Sequence, residues 1–228
     1  MSAEGTPAVA AFDFDGTLTT GDSLWRFLHE VCGTKSTLST LVRQFRGLVW
    51  SAIAGGTAAD EAKATVFRAM LAGRDSAELA SAGERFAAHL LAKRHRPEIV
   101  ARLEWHRAQG HHTVIVSASP EIYLVPAARH LGTDGVIATR LAVASDGRLT
   151  GAMDGDNCRG SEKARRLAAW LDERGLAGKA RLWAYGNSAG DRDLLAMADV
   201  PVNVGRLGRI GKLGRQFPVT MRTVLGGG

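Results

Sequence analysis

The sequence predicts an α/β protein with a doubly wound parallel sheet, and three observations carry that prediction. The apolar run Val9, Ala10, Ala11, Phe12 closes on two acids, Asp13 and Asp15, before Gly16. No strand-like stretch follows until Thr113, and helical periodicity fills the interval. From residue 97 onward helix and strand patterns alternate, which implies parallel pairing through crossover helices.

Taken in order, residues 9–14 read as a short buried strand, apolar throughout and ended by a glycine turn. Asp22 or Ser23 is a helix cap, opening a first helix that ends before Gly33. A second helix carries Leu38, Leu41, Val42, Phe45, Leu48, Val49 and Ile53 on one stripe and stops at Gly55 and Gly56. That stripe, with Trp25 and Trp50, reads as helix-helix core or, given Arg43 and Arg46 beside it, as a lipid-facing surface. Further helices are predicted over residues 59–71, 76–93 and 97–109. A strand over 113–117, a helix over 120–131 and a short strand over 136–138 follow, then a hairpin over 141–150 turning at Asp146 and Gly147. The pattern closes with a helix over 161–173, a strand over 180–185, a helix around 191–197 and a strand over 200–204. No internal repeat or low-complexity segment interrupts it.

Composition bounds the class. With 228 residues, 45% apolar and 23% charged, the chain can bury a sizeable core and is globular rather than disordered. No stretch approaches the roughly 20 apolar residues of a membrane span. Residues 1–5 lack the basic start and apolar core of a signal peptide, so a cytoplasmic protein is expected. Cys32 and Cys158 stand far apart in no metal-like spacing and read as reduced thiols. Net charge is +6, and much of the excess lies in Arg206, Arg209, Lys212, Arg215 and Arg222, a stretch without an acid. Such a tail is either a solvated face or a patch for an anionic lipid surface. Nothing has the aromatic-laced pattern of a nucleic-acid module, and no nucleic-acid partner is expected. The seven histidines show no ligand spacing and read as surface or packing residues.

The chemistry is stated by Asp13 and Asp15. Ionised carboxylates are costly to take out of water unless a cation or donors compensate them. A buried strand followed by a glycine turn delivers both to the carboxyl edge of a sheet, where open α/β folds bind ligands. The pair suits a small hard cation, and Asp is among the side chains that form aspartyl-phosphates. The plain alternative is a capped turn in which Asp15 and Gly16 are ordinary turn residues.

The string Asp13-Phe14-Asp15-Gly16-Thr17-Leu18-Thr19 resembles the first motif of the haloacid dehalogenase-like (HAD) superfamily, most of whose members are Mg-dependent phosphatases. Three further motifs follow in family order: Thr113-Val114-Ile115-Val116-Ser117, then Lys163 in Gly160-Ser161-Glu162-Lys163, then Gly186-Asn187-Ser188-Ala189-Gly190-Asp191. The resemblance implies a core over 1–19 and 99–228 and an inserted helical cap over 20–98, the C1 arrangement of phosphoserine phosphatase-like members. The strings Ser117-Ala118-Ser119-Pro120 and Asn157-Cys158-Arg159-Gly160 resemble subfamily IB.

By that resemblance Asp13 is the nucleophile and a Mg²⁺ ligand, and Asp15 the acid-base that adds its backbone carbonyl to the metal. Ser117 and the backbone at Ala118 hold a phosphoryl oxygen, and Lys163 supplies positive charge, with Ser161 capping its helix. An ammonium in a first helical turn opposes the helix dipole unless an anion lies between them. Asn187 departs from the pattern, which has a carboxylate there. It is expected to ligate weakly through its amide oxygen or a water while also facing substrate, and Asp191 either ligates directly or orients Lys163. Asp22, nine residues after Asp13, stands where phosphoserine phosphatases place a Glu that contacts substrate, and it serves equally well as a helix cap. The implied activity is Mg²⁺-dependent hydrolysis of a small phosphorylated metabolite. The alternatives are a phosphatase of lipid headgroups at an anionic membrane and a catalytically weak binding module on the same fold.

Overall fold

The computed structural model describes residues 6–34, 36–37 and 57–205 of the 228. Its axis is β1 (Ala8–Phe12), five residues that are all buried. Side chains alternate across a strand, so Ala10 and Phe12 enter one apolar cluster while Val9 and Ala11 enter another on the opposite face. A strand buried on both faces reads as a continuous apolar run, as this one does. β1 pairs in parallel with β2 (His112–Pro120) on one side and with β6 (Arg181–Gly186) on the other. β3 (Gly135–Thr139) and β7 (Val200–Asn203) complete a five-stranded sheet in the order β3-β2-β1-β6-β7.

Between β1 and β2 the described residues are helical: α1 over 23–34, α2 (Thr57–Leu71), α3 (Ser76–Arg94) and α4 (Pro97–Ala108). Asp75 caps α3 by accepting the amides of Ala77 and Glu78 at 2.9 and 3.0 Å, as an N-cap carboxylate should. The chain leaves and re-enters the sheet layer at one neck, where Thr20 N donates to Arg94 O and Arg96 N to Leu18 O, both at 2.8 Å. Arg96 braces the neck, its guanidinium reaching the carbonyls of Gly16 and Val204 at 2.8 and 2.9 Å.

The helices cover both faces. Ile99 and Leu103 of α4 and Leu124 of α5 (Glu121–Leu131) lie in the Phe12 cluster, whereas Leu167 of α6 (Ser161–Glu173) and Leu194 of α7 (Arg192–Ala196) lie in the Val9 cluster. α3 sits directly on α5 because residue 83 is glycine: a Cβ there would stand 2.2 Å from the Ile122 carbonyl oxygen. A hairpin of β4 (Leu141–Val143) and β5 (Leu149–Met153) turns at Gly147, whose φ of 81° favours glycine. No described helix is long and apolar enough to cross a membrane.

The predicted elements recur with shifted ends. β1 stops at Phe12, because Phe14 O turns away to accept the amides of Thr17 and Thr19. β2 continues past Ser117 to Pro120, pairing at its end with Thr139. α1 runs beyond Gly33, which adopts a φ of 77°. Ser161 is not the cap of α6: Gly160, at φ 57° and ψ −129°, occupies the N-cap, and Ser161 is already helical. The predicted helix over 38–53, with Trp50, Arg43 and Arg46, lies outside the described residues. So does the basic tail from Arg206 to Arg222.

His106 of α4 is fully buried, with both ring nitrogens engaged. Nε2 lies 2.8 Å from the Tyr185 hydroxyl and Nδ1 2.8 Å from His111 Nδ1. Arg102 donates to that hydroxyl at 2.9 Å, so the Tyr185 proton is free to go to His106 Nε2. The neutral ring therefore carries its proton on Nδ1. Burial pushes its pKa down to about 3, assisted by the charge of Arg102. The unfolded chain binds this proton more readily, so the stabilisation from a neutral His106 is complete above an ordinary histidine pKa and is lost as pH falls from there toward the folded value. We expect this group to cost wild type on the order of 1 kcal/mol between pH 7 and pH 5. Chemical denaturation of His106→Gln at both pH values checks this: its pH slope should be shallower than that of wild type, and equal slopes would refute the assignment.

Candidate active site

β1 carries Asp13 to the carboxyl edge of the sheet between β2 and β6, where strand order reverses. Open α/β sheets bind ligands at such a switch point. The Asp13 amide is held by the Tyr185 carbonyl at 2.9 Å. Its Oδ1 lies 2.6 Å from Lys163 Nζ, and its Oδ2 accepts the Thr17 hydroxyl at 3.0 Å. The turn that follows depends on Gly16, at φ 77°, where a Cβ would stand 2.0 Å from Asn187 Nδ2. No other residue lets the loop after β6 approach the loop after β1 so closely.

Asp15 faces elsewhere. Its Oδ1 accepts the Ser23 amide at 2.8 Å, and its Oδ2 lies 3.0 Å from Ser23 Oγ and 2.5 Å from Ser119 Oγ. The Tyr123 hydroxyl stands 3.0 Å behind Ser23 Oγ, extending the chain of hydroxyls from α5 through α1 to the carboxylate. Asp13 and Asp15 thus sit in different surroundings: Asp13 meets an ammonium, and Asp15 meets neutral donors.

Lys163 comes from the first turn of α6 and is buried between two acids, at 2.6 Å from Asp13 Oδ1 and 2.6 Å from Asp191 Oδ1. This arrangement explains a lysine at a helix start, since anions meet it there. Asp191 is held in turn by the turn after β6: its Oδ2 accepts the amides of Asn187 and Ser188 at 3.1 and 2.9 Å and the Ser188 hydroxyl at 2.8 Å. Ser117 is buried within β2, three residues before its end, and its Oγ accepts the Ser119 amide at 3.1 Å.

Burial raises Asp13 to about 7, with the charge of Asp191 adding to it and Lys163 opposing. Burial likewise raises Asp15 to about 6, with the charge of Asp22 adding and the hydroxyls of Ser119 and Ser23 opposing. Burial works to raise Asp191 too, yet Lys163 and the Ser188 donors hold it below the usual carboxylate range. Lys163 is held in its charged form, since the two acids beside it outweigh its burial.

Asp13 and Asp191 therefore share one ammonium at close range, and Asp15 beside them has only neutral donors. Asn187 Oδ1 is buried without a hydrogen-bond partner. Buried polar atoms are rarely left unpaired, and each one asks for an explanation. An excess of negative charge and an orphaned amide oxygen beside Gly16 fit a hard divalent cation that takes oxygen ligands. No group of three or more His, Cys, Asp or Glu side chains forms a metal cluster among the described residues. The donors that fit are instead the Asp13 carboxylate and the Asn187 amide oxygen.

All these residues border or underlie one cleft of about 310 Å³. Of the residues singled out from sequence, Asp13, Asp15, Asp22, Ser117, Ala118, Lys163 and Asp191 line it, and Asn187 stands beneath it against Gly16. Asp22 caps α1 by accepting the Trp25 amide at 3.2 Å, and it remains exposed at the rim. The sequence did not reveal Lys63, which crosses from α2 to the Ala118 carbonyl and to Asn157 Oδ1 at 2.7 Å. Burial pushes its ammonium down to about 8, against the charges of Asp15, Asp22 and Asp60. Nothing in the spacing of α2 distinguishes Lys63 from a surface lysine. Ser119 and Asn157, by contrast, stood in strings already notable in the sequence.

The sheet order, the acid pair at its edge and the lysine beneath define a hydrolase site of the HAD type. The family pattern for haloacid dehalogenase-like hydrolases matches residues 10–196, and the chain belongs to that family. Protein CicA of Caulobacter vibrioides is 39% identical over 195 residues, which cover 85% of this chain and 84% of that protein. A histidinol-phosphatase of Neisseria meningitidis is 28% identical over 206 residues, covering 86% and 89%. Among solved structures, a protein of unknown function from Bordetella pertussis superposes with a TM-score of 0.79 at 26% identity, covering 95% of this chain and 98% of that one. A phosphoserine phosphatase captured as a phospho-aspartyl intermediate analogue shares the fold at a TM-score of 0.66 and 17% identity, covering 97% and 99%.

Gly16→Ala tests the packing of the two loops. The left-handed φ costs a non-glycine residue about 1–2 kcal/mol, and the new methyl displaces Asn187 as well. We expect a lowered melting temperature together with a disproportionate fall in hydrolytic activity; a stable variant with full activity would contradict the contact.

Proposed function

We propose that the protein is a Mg²⁺-dependent phosphomonoester hydrolase that acts on a small phosphorylated metabolite through an aspartyl-phosphate on Asp13. The observation that carries this reading is the difference in surroundings between the two acids: Asp13 is paired with Lys163 at 2.6 Å, whereas Asp15 is turned toward the hydroxyls of Ser23 and Ser119. The ammonium beside Asp13 favours the ionised, nucleophilic form against the burial that raises it, and an acid-base catalyst should titrate near the working pH, as Asp15 at about 6 does. The name of the histidinol-phosphatase relative supports the reaction class.

In this reading an Asp13 oxygen attacks phosphorus, the bond to the leaving oxygen breaks, and Asp15 gives that oxygen its proton. Asp15 then takes a proton from water, whose oxygen attacks phosphorus and frees Asp13 with release of phosphate. A phosphoryl group in transfer spreads negative charge over its equatorial oxygens. The Ser117 hydroxyl, the amides after it and the Lys163 ammonium meet that charge. Asp191 fixes Lys163, since both its oxygens are already occupied. Asp13, the Asp15 carbonyl and Asn187 Oδ1 would hold Mg²⁺, which supplies the positive charge that lets a carboxylate approach a phosphate. On this reading the described residues of 6–19 and 99–205 form the core, and the described helices between 20 and 98 act as a cap that brings Trp25 and Lys63 to the cleft and helps exclude water.

The decisive experiment measures phosphate release from p-nitrophenyl phosphate. We expect activity that requires Mg²⁺, disappears with chelator and falls by at least about a thousandfold in Asp13→Asn, in keeping with loss of a covalent nucleophile. Beryllium fluoride should form its adduct on Asp13, and an adduct elsewhere would reject the mechanism.

A second experiment concerns Asn187. Restoring a carboxylate in Asn187→Asp adds one negative charge, and the Mg²⁺ concentration that half-maximally raises the melting temperature should fall by a factor on the order of ten. An unchanged midpoint would remove Asn187 from contact with the metal.

A further inference from the structure

The charges lining the cleft can be paired one by one. Asp13 and Asp191 share Lys163. Asp15 is met by Ser23 and Ser119 and Asp22 by the Trp25 amide, and Asp60, just outside the lining, is met by Asn157 Nδ2 at 2.5 Å. Every acid there has a donor. The cations are not balanced in the same way. Lys63 Nζ reaches only neutral acceptors, the Ala118 carbonyl and Asn157 Oδ1. Arg159 lines the cleft half-buried, and its guanidinium has no hydrogen-bond or ion-pair partner among the described residues. Its place is built: it lies across Gly190, where a Cβ would stand 3.2 Å from Arg159 Nε. The transferred phosphoryl group has Asp13, Ser117 and Lys163 to receive it at the floor. The unpaired guanidinium of Arg159 is therefore available to the rest of the substrate, with the Lys63 ammonium nearby among the charges of Asp15, Asp22 and Asp60.

We infer that Arg159, assisted by Lys63, binds an anionic group on the leaving portion of the substrate, so that preferred substrates are phosphomonoesters bearing a carboxylate or a second phosphate. This inference rests on the phosphatase reading above. The planar guanidinium matches a carboxylate or phosphate through two parallel hydrogen bonds. A leaving group carrying an ammonium instead meets the unpaired guanidinium of Arg159 and is disfavoured, a different preference from that implied by the name of the histidinol-phosphatase relative. Arg159 is on this view a specificity-determining residue.

Three two-carbon esters that differ only at the far end test it: phosphoglycolate, ethyl phosphate and phosphoethanolamine, each assayed with Mg²⁺ against wild type, Arg159→Gln, Arg159→Lys and Lys63→Met. Wild type should prefer phosphoglycolate to ethyl phosphate by at least about tenfold in kcat/KM, the scale of one charge-assisted contact, with phosphoethanolamine poorest. Arg159→Gln should collapse that ratio to within about threefold of unity, mainly through the KM for phosphoglycolate, and Arg159→Lys should recover part of it. Lys63→Met should narrow the ratio less. Melting curves of each variant separate a lost subsite from a lost fold. Equal use of the three esters, preference for phosphoethanolamine, or a proportional loss on all three in Arg159→Gln would each overturn the inference. Hydrolysis of p-nitrophenyl phosphate in the same preparation reads the phosphatase assignment by itself. If that is absent, calorimetric binding of phosphoglycolate against ethyl phosphate decides the subsite, and no preference sinks it.

Discussion

The buried ammonium of Lys163 between Asp13 and Asp191 is the contact on which this structure turns. It joins three segments remote in sequence: the end of β1, the first turn of α6 and the loop after β6. Removing charges from water is expensive, and a buried pair repays that cost only when its remaining lone pairs and protons are also met. Here they are met by the Thr17 hydroxyl on one acid and by the Asn187 and Ser188 amides on the other. Losing one member would leave the others stranded, a change that costs about 3–5 kcal/mol in buried networks. The same contact fixes Asp13 and opposes the burial that raises it, while Asp15, two residues away, meets only neutral donors.

Much of the fold was legible because its main cues are local. The apolar run of β1, the turn at Gly147 and the alternation after residue 97 each report on their own neighbourhood, and the structure places strands and helices where they point. The errors fall at boundaries. Ser161 looked like a cap because serine usually is one, but Gly160 reaches a backbone conformation outside serine's ordinary range and takes that role. Likewise β2 outruns its apolar stretch, since Thr139 on the neighbouring strand extends the pairing to Pro120.

The site was legible in its chain of motifs and illegible in its surroundings. Asp13, Ser117, Lys163 and Asp191 stand at or near strand ends or helix starts, positions that spacing along the chain reveals. Lys63 does not: its role comes from the way α2 lies over the cleft, and a lysine on a polar helix gives no sign of that. Nor did the sequence show that the Asp15 carboxylate would meet the hydroxyls of Ser23 and Ser119, with Tyr123 behind Ser23, from two helices and a strand. Asn187 looked like a departure that weakens the site. In three dimensions its unpaired amide oxygen is the clearest sign that something is meant to bind there.

The contact between Gly83 and the Ile122 carbonyl has an effect that reaches further than helix packing. The residue after Ile122 is Tyr123, whose hydroxyl ends the relay to Asp15 through Ser23. Any side chain at position 83 would push α5 outward and draw that tyrosine back from the relay. A single missing methyl thus lets the helix that carries Tyr123 lie close enough for its hydroxyl to reach Ser23, so the surroundings of Asp15 depend on a residue that does not itself line the cleft.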